Sequence, residues 1–244
     1  MIFIDISSEK AQFRNFFYNS SVVSYPFFPR TSILGLLASI LGKEHDSYYE
    51  EFQNSLVGLC LKVPIVKELK TVNFIKTDRF VKNFHSQMQM EYIRGANNDR
   101  LLYRIFYEGQ NEDKILQAID EGGGYLRYMG TTECLADIDG YGEIDYQELE
   151  GGKRYYIDSI IPTDIIEDLD FKDSKGFFLY EKNRIIYNFK EGRVSLGVVD
   201  ILTETKRLQI CATLKDKLSF KVSDTLVIDG KLIESSSGDI VYVF

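Results

Sequence analysis

The chain has 244 residues, 44% of them hydrophobic and 27% charged, with a formal net charge of −8. This composition is typical of globular proteins, and the negative charge disfavours a uniformly basic nucleic-acid binder. No apolar run approaches the roughly 18 residues of a membrane span, and the first residues do not resemble a signal peptide. Three scattered cysteines, Cys60, Cys134 and Cys211, lack metal-ligand spacing. We therefore expect a cytoplasmic protein with no membrane contact.

The first part of the chain predicts a strand and two helices. The alternation in MIFIDIS predicts an opening strand. A loop containing SYPFFPRTS follows, and Thr31 or Ser32 is predicted to cap the apolar helix ILGLLASILG, which Gly42 ends. HDSYYEEFQN predicts a second, short helical stretch.

The next elements complete a recognisable order. VGLCLKVPIV, LKTVNFIKT and LLYRIFYEG predict strands, with a polar hairpin over residues 78–99 between the last two. NEDKILQAIDEGG predicts a helix and GYLRYMG a returning strand. This order predicts the α+β class, with a ferredoxin-like, RRM-like domain at 1–150 and a thumb hairpin inserted at about 77–104. Short β-rich runs between turn signals then predict a small antiparallel β domain at 151–244.

Residues 137–149, DIDGYGEIDYQEL, imitate an EF-hand calcium loop. The positions of the metal ligands hold Asp137, Asp139, Asp145 and Glu148, and Gly142 stands at the sharp turn. However, Tyr141 occupies a ligand position that calls for Asp or Asn, and the flanking segments do not predict helices. We interpret the segment as an acidic, Gly-rich turn between strands rather than a metal site, and we expect no cofactor.

Charge is unevenly distributed along the chain. From Lys62 to Arg104 the sequence has nine basic and four acidic residues, whereas from Glu133 to Asp173 it has thirteen acidic and three basic ones. The basic segment interleaves cations, aromatic residues and amides, a mixture that suits single-stranded RNA. The acidic segment would repel phosphate, so it is expected to face protein partners; a solvated surface is the alternative for both segments.

Catalytic signals are few. There are two histidines, no Gly-x-Ser-x-Gly motif and no phosphate-binding Gly-x-x-x-x-Gly-Lys loop. A metal-independent ribonuclease needs a general base, a cation and an acid, which His85, Lys82 and Tyr48 would supply. We expect no enzymatic activity, with this ribonuclease as the alternative function.

Three stretches carry a resemblance to a known family. SYPFFPRTSILGLLASILG, YLRYMGTTECLADI and YYIDSIIP resemble segments of CRISPR-associated Cas family five, with Met129 where the family usually has Leu. The matches span most of residues 1–162, and the type I-B-like subgroup is one candidate within the family.

The resemblance implies a subunit of the Cascade surveillance complex in antiviral defence. Such a subunit has an RRM-like fold with a thumb, binds the 5′ handle of the crRNA, caps the backbone filament and contacts the large subunit, and through it target DNA. One subtype cleaves precursor RNA with Tyr, Lys and His, but Lys82 and His85 are not adjacent here. The residues predicted to contact RNA are Tyr25, Arg30, Thr31, Ser32, Lys82, His85, Gln87, Arg94, Arg100, Arg104, Arg127, Gly130 and Thr131.

Overall fold

The computed structural model of the chain describes residues 1–18, 22–75, 85–170, 180–206 and 208–244. These residues form two α-helices, α1 (Arg30–Ile40) and α2 (Glu112–Asp120). The strands are β1 (Ile2–Ser8), β2 (Leu56–Leu61), β3 (Ile65–Ile75), β4 (His85–Gly95), β5 (Leu101–Glu108), β6 (Asp137–Glu143), β7 (Tyr146–Leu149), β8 (Arg154–Ile157), β9 (Ile161–Pro162), β10 (Ile166–Leu169), β11 (Tyr180–Ile186), β12 (Phe189–Lys190), β13 (Val194–Ser195), β14 (Val198–Glu204), β15 (Ile210–Leu214), β16 (Ser219–Lys221), β17 (Val227–Asp229), β18 (Lys231–Ser235) and β19 (Ile240–Val243). Antiparallel sheets dominate the described residues and two helices accompany them, so the fold is α+β or mostly β.

The central sheet has four antiparallel strands in the order β2-β5-β1-β6. Strand β1 is an interior strand of this sheet, and its alternate side chains pack on opposite faces. Ile2, Ile4 and Ile6 are buried in the main core, on the same face as the helices. Phe3 packs against a second, smaller core on the opposite face. The predicted opening strand is therefore confirmed, and its period of two decides which side chains enter each core.

Helix α1 begins two or three residues earlier than its predicted caps would place it. Pro29 is the N-cap residue, and its carbonyl oxygen accepts the N–H groups of Ser32 and Ile33 at 2.9 and 3.0 Å. Neither Thr31 nor Ser32 caps the helix, so that prediction is wrong: both residues lie within its first turn. Proline suits this position because its fixed φ of −63° matches the extended conformation of an N-cap.

The C-terminus of α1 is as predicted. Gly42 has a φ of +65°, and the Lys43 N–H donates to the Ala38 carbonyl at 2.9 Å, which closes a Schellman motif. Helix α2 is also confirmed, ending before Gly122 and Gly123. The helices span 11 and 9 residues, so neither has the length for a membrane crossing within the described part of the chain.

Two local predictions are wrong. The stretch 45–54 forms successive turns instead of a helix, with Asp46 at a φ of +63°. GYLRYMG forms bends instead of a strand, since Gly124 and Gly130 both have positive φ and interrupt any extended run.

The long hairpin is formed by β3 and β4, which pair from Ile65↔Gly95 to Ile75↔His85. It therefore starts well before the predicted thumb at 77–104, and Leu101–Glu108 belongs to the central sheet instead. Residues 76–84, between the two strands, lie outside the described residues.

Strands from the second part of the chain pair with the first. Strand β18 pairs with β7, and Val57 and Phe244 exchange both backbone hydrogen bonds, at 2.9 and 3.1 Å. Buried side chains from both parts also form one main core. The domain boundary at residue 150 remains a prediction, because the two parts share both hydrogen bonds and core.

Candidate nucleic-acid interface

A cavity of about 360 Å³ lies on the helix side of the central sheet. Its walls come from six places in the chain: residues 12–16, residues 22–25, the start of α1, the hairpin, the turn at 130–131 and the end of β11. The predicted RNA contacts Thr31, Ser32, Gly130 and Thr131 all line it. Two segments about 100 residues apart in the sequence thus meet at one site.

Gly130 lies where the turn at 130–131 approaches the backbone of Gln12. Its φ is +89°, and a Cβ atom at this position would overlap the carbonyl oxygen of Gln12. The Gln12 N–H in turn donates to the Met129 carbonyl at 3.2 Å. Any side chain at position 130 would therefore separate the two backbone segments, which explains the glycine on physical grounds.

The N-terminus of α1, which carries a partial positive charge, lies at the cavity. The first backbone N–H groups of a helix have no partner within the helix, and they favour anions. Thr31 and Ser32 lie in this first turn and are half-buried, and the turn contains no acidic residue that would neutralise it. An anionic group such as phosphate would find both N–H and hydroxyl donors at this place.

Arg14 adds a cation at the same cavity. Its side chain is exposed, and its guanidinium has no ion pair or hydrogen bond within the described residues. Nearby lining residues expose apolar groups: Phe16 is 60% exposed, Phe74 42% and Met88 44%. An unpaired arginine beside exposed rings is the combination that binds phosphate and stacks bases.

The sequence interpretation missed Gln12, Arg14, Phe16, Phe74 and Met88. A signal for the first three exists, since QFRNFF mixes an amide, a cation and aromatic residues like the basic segment that was singled out. Their convergence with α1 could not be predicted from the sequence, because it depends on the packing of the loop before α1.

Two predicted contacts are buried instead. Tyr25 is 2% exposed, its hydroxyl donates to the Arg184 carbonyl at 2.7 Å, and burial raises its pKa to about 12. Arg30 is 1% exposed, and its guanidinium donates to the carbonyl oxygens of Ser55 and Phe244. The structure therefore corrects both predictions: these side chains hold the fold together and offer no accessible surface to RNA.

The predicted arginines of the basic segment are paired with acidic side chains. Arg104 forms a bidentate pair with Asp5, with both distances 2.7 Å, and a further contact with Asp239. Arg104 lies on the opposite face of the sheet from the cavity, over the Phe3 ring, so it does not belong to the candidate site and its RNA contact stays a prediction. The other pairs are Arg100 with Asp137 at 2.6 Å and Arg94 with Glu68 at 3.0 Å.

The remaining predicted contacts are scattered. His85 and Gln87 are exposed on β4. Arg127 is half-buried, and its Nη2 lies 3.4 Å from the Gly123 carbonyl. Lys82 lies outside the described residues.

The residues of the ribonuclease alternative are not brought together where they are described. Tyr48 packs against the rings of Tyr49 and Phe52 in the turns after α1. His85 lies at the start of β4, on the hairpin, and no described contact joins it to Tyr48.

The segment that imitates a calcium loop is two strands. Asp137–Glu143 is an edge strand of the central sheet, and Tyr146–Leu149 pairs with β18. An extended strand spreads its carboxylates along the sheet instead of wrapping them around an ion, and Asp137 already pairs with Arg100. No group of three or more potential metal ligands occurs among the described residues. Both the calcium pattern and our interpretation of the segment as a turn are therefore corrected.

The outer face of the central sheet is covered. Phe106 on β5 is fully buried against Ile233, Val241 and Val243, which belong to β18 and β19. Phe106 is therefore not accessible for stacking.

Comparisons with known proteins agree with this architecture. The sequence matches no known family profile and no curated protein. The fold is similar to the crystal structure of a CRISPR protein from Archaeoglobus fulgidus, with 14% identity, a TM-score of 0.61 and 99% of both chains covered. It is also similar to a chain of a CRISPR RNA-guided surveillance complex, with 11% identity, a TM-score of 0.53 and 88% of this chain and 92% of that chain covered. At these identities the likeness shows a shared fold: the chain has the fold of CRISPR proteins.

Proposed function

We propose that this chain is a non-catalytic subunit of a type I CRISPR Cascade surveillance complex, and that it binds the 5′ handle of the crRNA at the cavity beside α1. One observation carries the proposal: Arg14, whose guanidinium has no partner among the described residues, lines one cavity together with the first turn of α1 and the Gly130–Thr131 turn. Together they provide a cation, helix N–H groups and hydroxyls, all of which favour phosphate.

The strand order supports a ferredoxin-like, RRM-like domain of Cas family five. Without the hairpin, the elements run β1, α1, β2, β5, α2, β6, and the sheet order is β2-β5-β1-β6. This is the β-α-β-β-α-β arrangement of that fold class. An RRM stacks bases on its sheet. Here we place the RNA at the cavity, because β18 and β19 cover the sheet face.

The hairpin and the segment 125–135 offer exposed apolar side chains that suit two different contacts of such a subunit. Phe74 and Met88 present exposed apolar side chains from the hairpin at the edge of the cavity, where they would pack against bases. On the 125–135 segment, Tyr125, Leu126 and Leu135 are exposed at 58%, 79% and 60%. Exposed apolar groups of this size favour a protein contact, and we assign them to the backbone or large subunit.

The test is a binding titration with single-stranded crRNA-repeat RNA, alone and with the backbone subunit. We expect binding that weakens steeply as salt rises, because phosphate contacts release counterions. Failure to bind under both conditions, at low salt, would refute the proposal. The same samples incubated in EDTA and analysed on a denaturing gel should show intact RNA. Cleavage that His85→Ala abolishes would favour the ribonuclease instead.

A further inference from the structure

Gln12 is a buried amide at the cavity that has no partner for its donor. Its side chain is 2% exposed, and its Nε2 has no hydrogen-bond partner among the described residues. The residue lines the cavity, held there by its backbone N–H on Met129. An amide carries two donor hydrogens and an acceptor oxygen. The donor hydrogens of Gln12 are therefore available to a bound molecule.

Such a residue is costly unless it has a ligand. A buried donor without a partner destabilises a protein, whereas an apolar side chain of similar shape does not. The neighbouring wall offers apolar groups, including Phe13, Val22 and Ile185, where methionine would pack as well as glutamine. An acceptor supplied by a bound molecule would satisfy the Gln12 amide and account for its presence.

The surroundings indicate the chemistry of that molecule. The exposed rings of Phe16 and Phe74 suit a flat aromatic group, and Arg14 with the first turn of α1 suits a phosphate joined to it. A nucleotide combines a flat ring that has acceptor atoms on its edge with a phosphate.

We propose that the cavity holds one unstacked nucleobase of the bound RNA and that Gln12 is its hydrogen-bonding partner, which makes Gln12 a specificity-determining residue. This inference rests on the proposed RNA-binding function and adds base recognition to it. Phosphate contacts position RNA without reading its sequence, whereas an amide on a base edge discriminates between bases.

The experiment compares wild type with Gln12→Met. The probes are oligo(A), oligo(C) and oligo(U) RNA, and an abasic oligomer of the same length. Met removes the amide while keeping the length of the side chain. We expect a loss of about fivefold in affinity for at least one homopolymer, as one lost hydrogen bond predicts. The losses should differ between homopolymers, and the abasic oligomer should bind both proteins equally. The side-chain amide NMR signal that disappears in the variant should shift in wild type when that homopolymer is added.

A matched control separates recognition from folding. Ser7→Ala removes a different buried polar group, a hydroxyl that has no partner among the described residues, at a position that does not line the cavity. Neither variant should melt below wild type, and Ser7→Ala should bind RNA normally. Equal affinity of Gln12→Met and wild type for every RNA would overturn base recognition while RNA binding stands. An equal loss of affinity for all probes, including the abasic one, would also overturn base recognition. A Gln12→Met variant that melts at a lower temperature than wild type would overturn it too, because that result is expected if an internal water satisfies the amide. Wild type that binds no RNA would overturn both proposals.

Discussion

The buried Arg30 provides the sharpest contrast between a structural and an RNA-binding role. Its Nε donates to the Phe244 backbone oxygen at 3.1 Å and its Nη2 to the Ser55 carbonyl at 2.6 Å. The guanidinium also lies 4.5 Å from the centre of the Tyr187 ring. Burial lowers the pKa of Arg30, although arginine remains charged at neutral pH. The perturbation is Arg30→Ala, with Arg30→Lys as the charge-conserving variant.

The magnitude follows from those contacts. Two hydrogen bonds from a charged donor are worth about 1.5–3 kcal/mol each, and the ring contact adds about 1 kcal/mol. Removing the buried charge relieves a desolvation penalty of several kcal/mol, which offsets part of that loss. We expect Arg30→Ala to lower the free energy of unfolding by about 3 kcal/mol, or about 10 °C in Tm for a chain of this size. Arg30→Lys should lose about 2 kcal/mol, because an ammonium cannot reproduce the planar fork over the ring.

Urea unfolding followed by circular dichroism measures the free energy, and a repeat-RNA titration at a temperature where both variants are folded measures binding. A structural Arg30 predicts that both variants are destabilised, while their RNA affinity stays within about twofold of wild type. The reasoning would be refuted if Arg30→Ala unfolded within about 0.5 kcal/mol of wild type, the usual range for surface substitutions. Normal stability together with lost RNA binding would restore the original prediction of an RNA contact.

Three further predictions concern the cavity and the buried carboxylates. Gly130→Ala should lower the free energy of unfolding in urea by at least about 2 kcal/mol, because its Cβ would overlap a backbone carbonyl. Gly238→Ala, at a φ of +86° with open space around it, should lower it by about 1 kcal/mol, and equal losses for the two variants would contradict this reasoning. Arg14→Gln should weaken RNA binding and reduce the slope of log affinity against log salt by about 1 at unchanged Tm, whereas the paired Arg100→Gln should leave the slope unchanged. Burial raises the pKa of the Asp158 carboxyl above its ordinary value of about 3.9. The protonated carboxyl therefore stabilises the fold below about pH 3.9, and this stabilisation is lost as pH rises through the pKa of the folded state. Asp158→Asn should therefore unfold at higher urea than wild type at about pH 7, and the difference should shrink towards about pH 4; a difference independent of pH would contradict this assignment.

Elements whose signals are local could be predicted. Strand β1 follows from its alternation, and the end of α1 follows from Gly42, since the Schellman motif needs only neighbouring residues. Helix α2 follows from its apolar spacing and terminal glycines. The predicted strand at GYLRYMG was wrong because Gly124 fits against the carbonyls of Ser39 and Ile40 at the end of α1, a contact that only the fold creates.

The sequence alone indicated the mixture of strands and helices and the order of the first elements, because periodicity and helix-ending motifs act over short distances. It also named five of the residues that line the cavity: Tyr25, Thr31, Ser32, Gly130 and Thr131. The tertiary structure decided which arginine side chains remain available to bind a ligand. Arg104 pairs with two acidic residues that are distant in the sequence, whereas Arg14, beside the cavity, has no ion pair among the described residues. It also turned DIDGYGEIDYQEL into two strands, because pairing with β1 and with β18 satisfies the backbone better than an isolated loop would. Ion pairs and strand pairs join residues that are distant along the chain, so they appear only when the chain is folded.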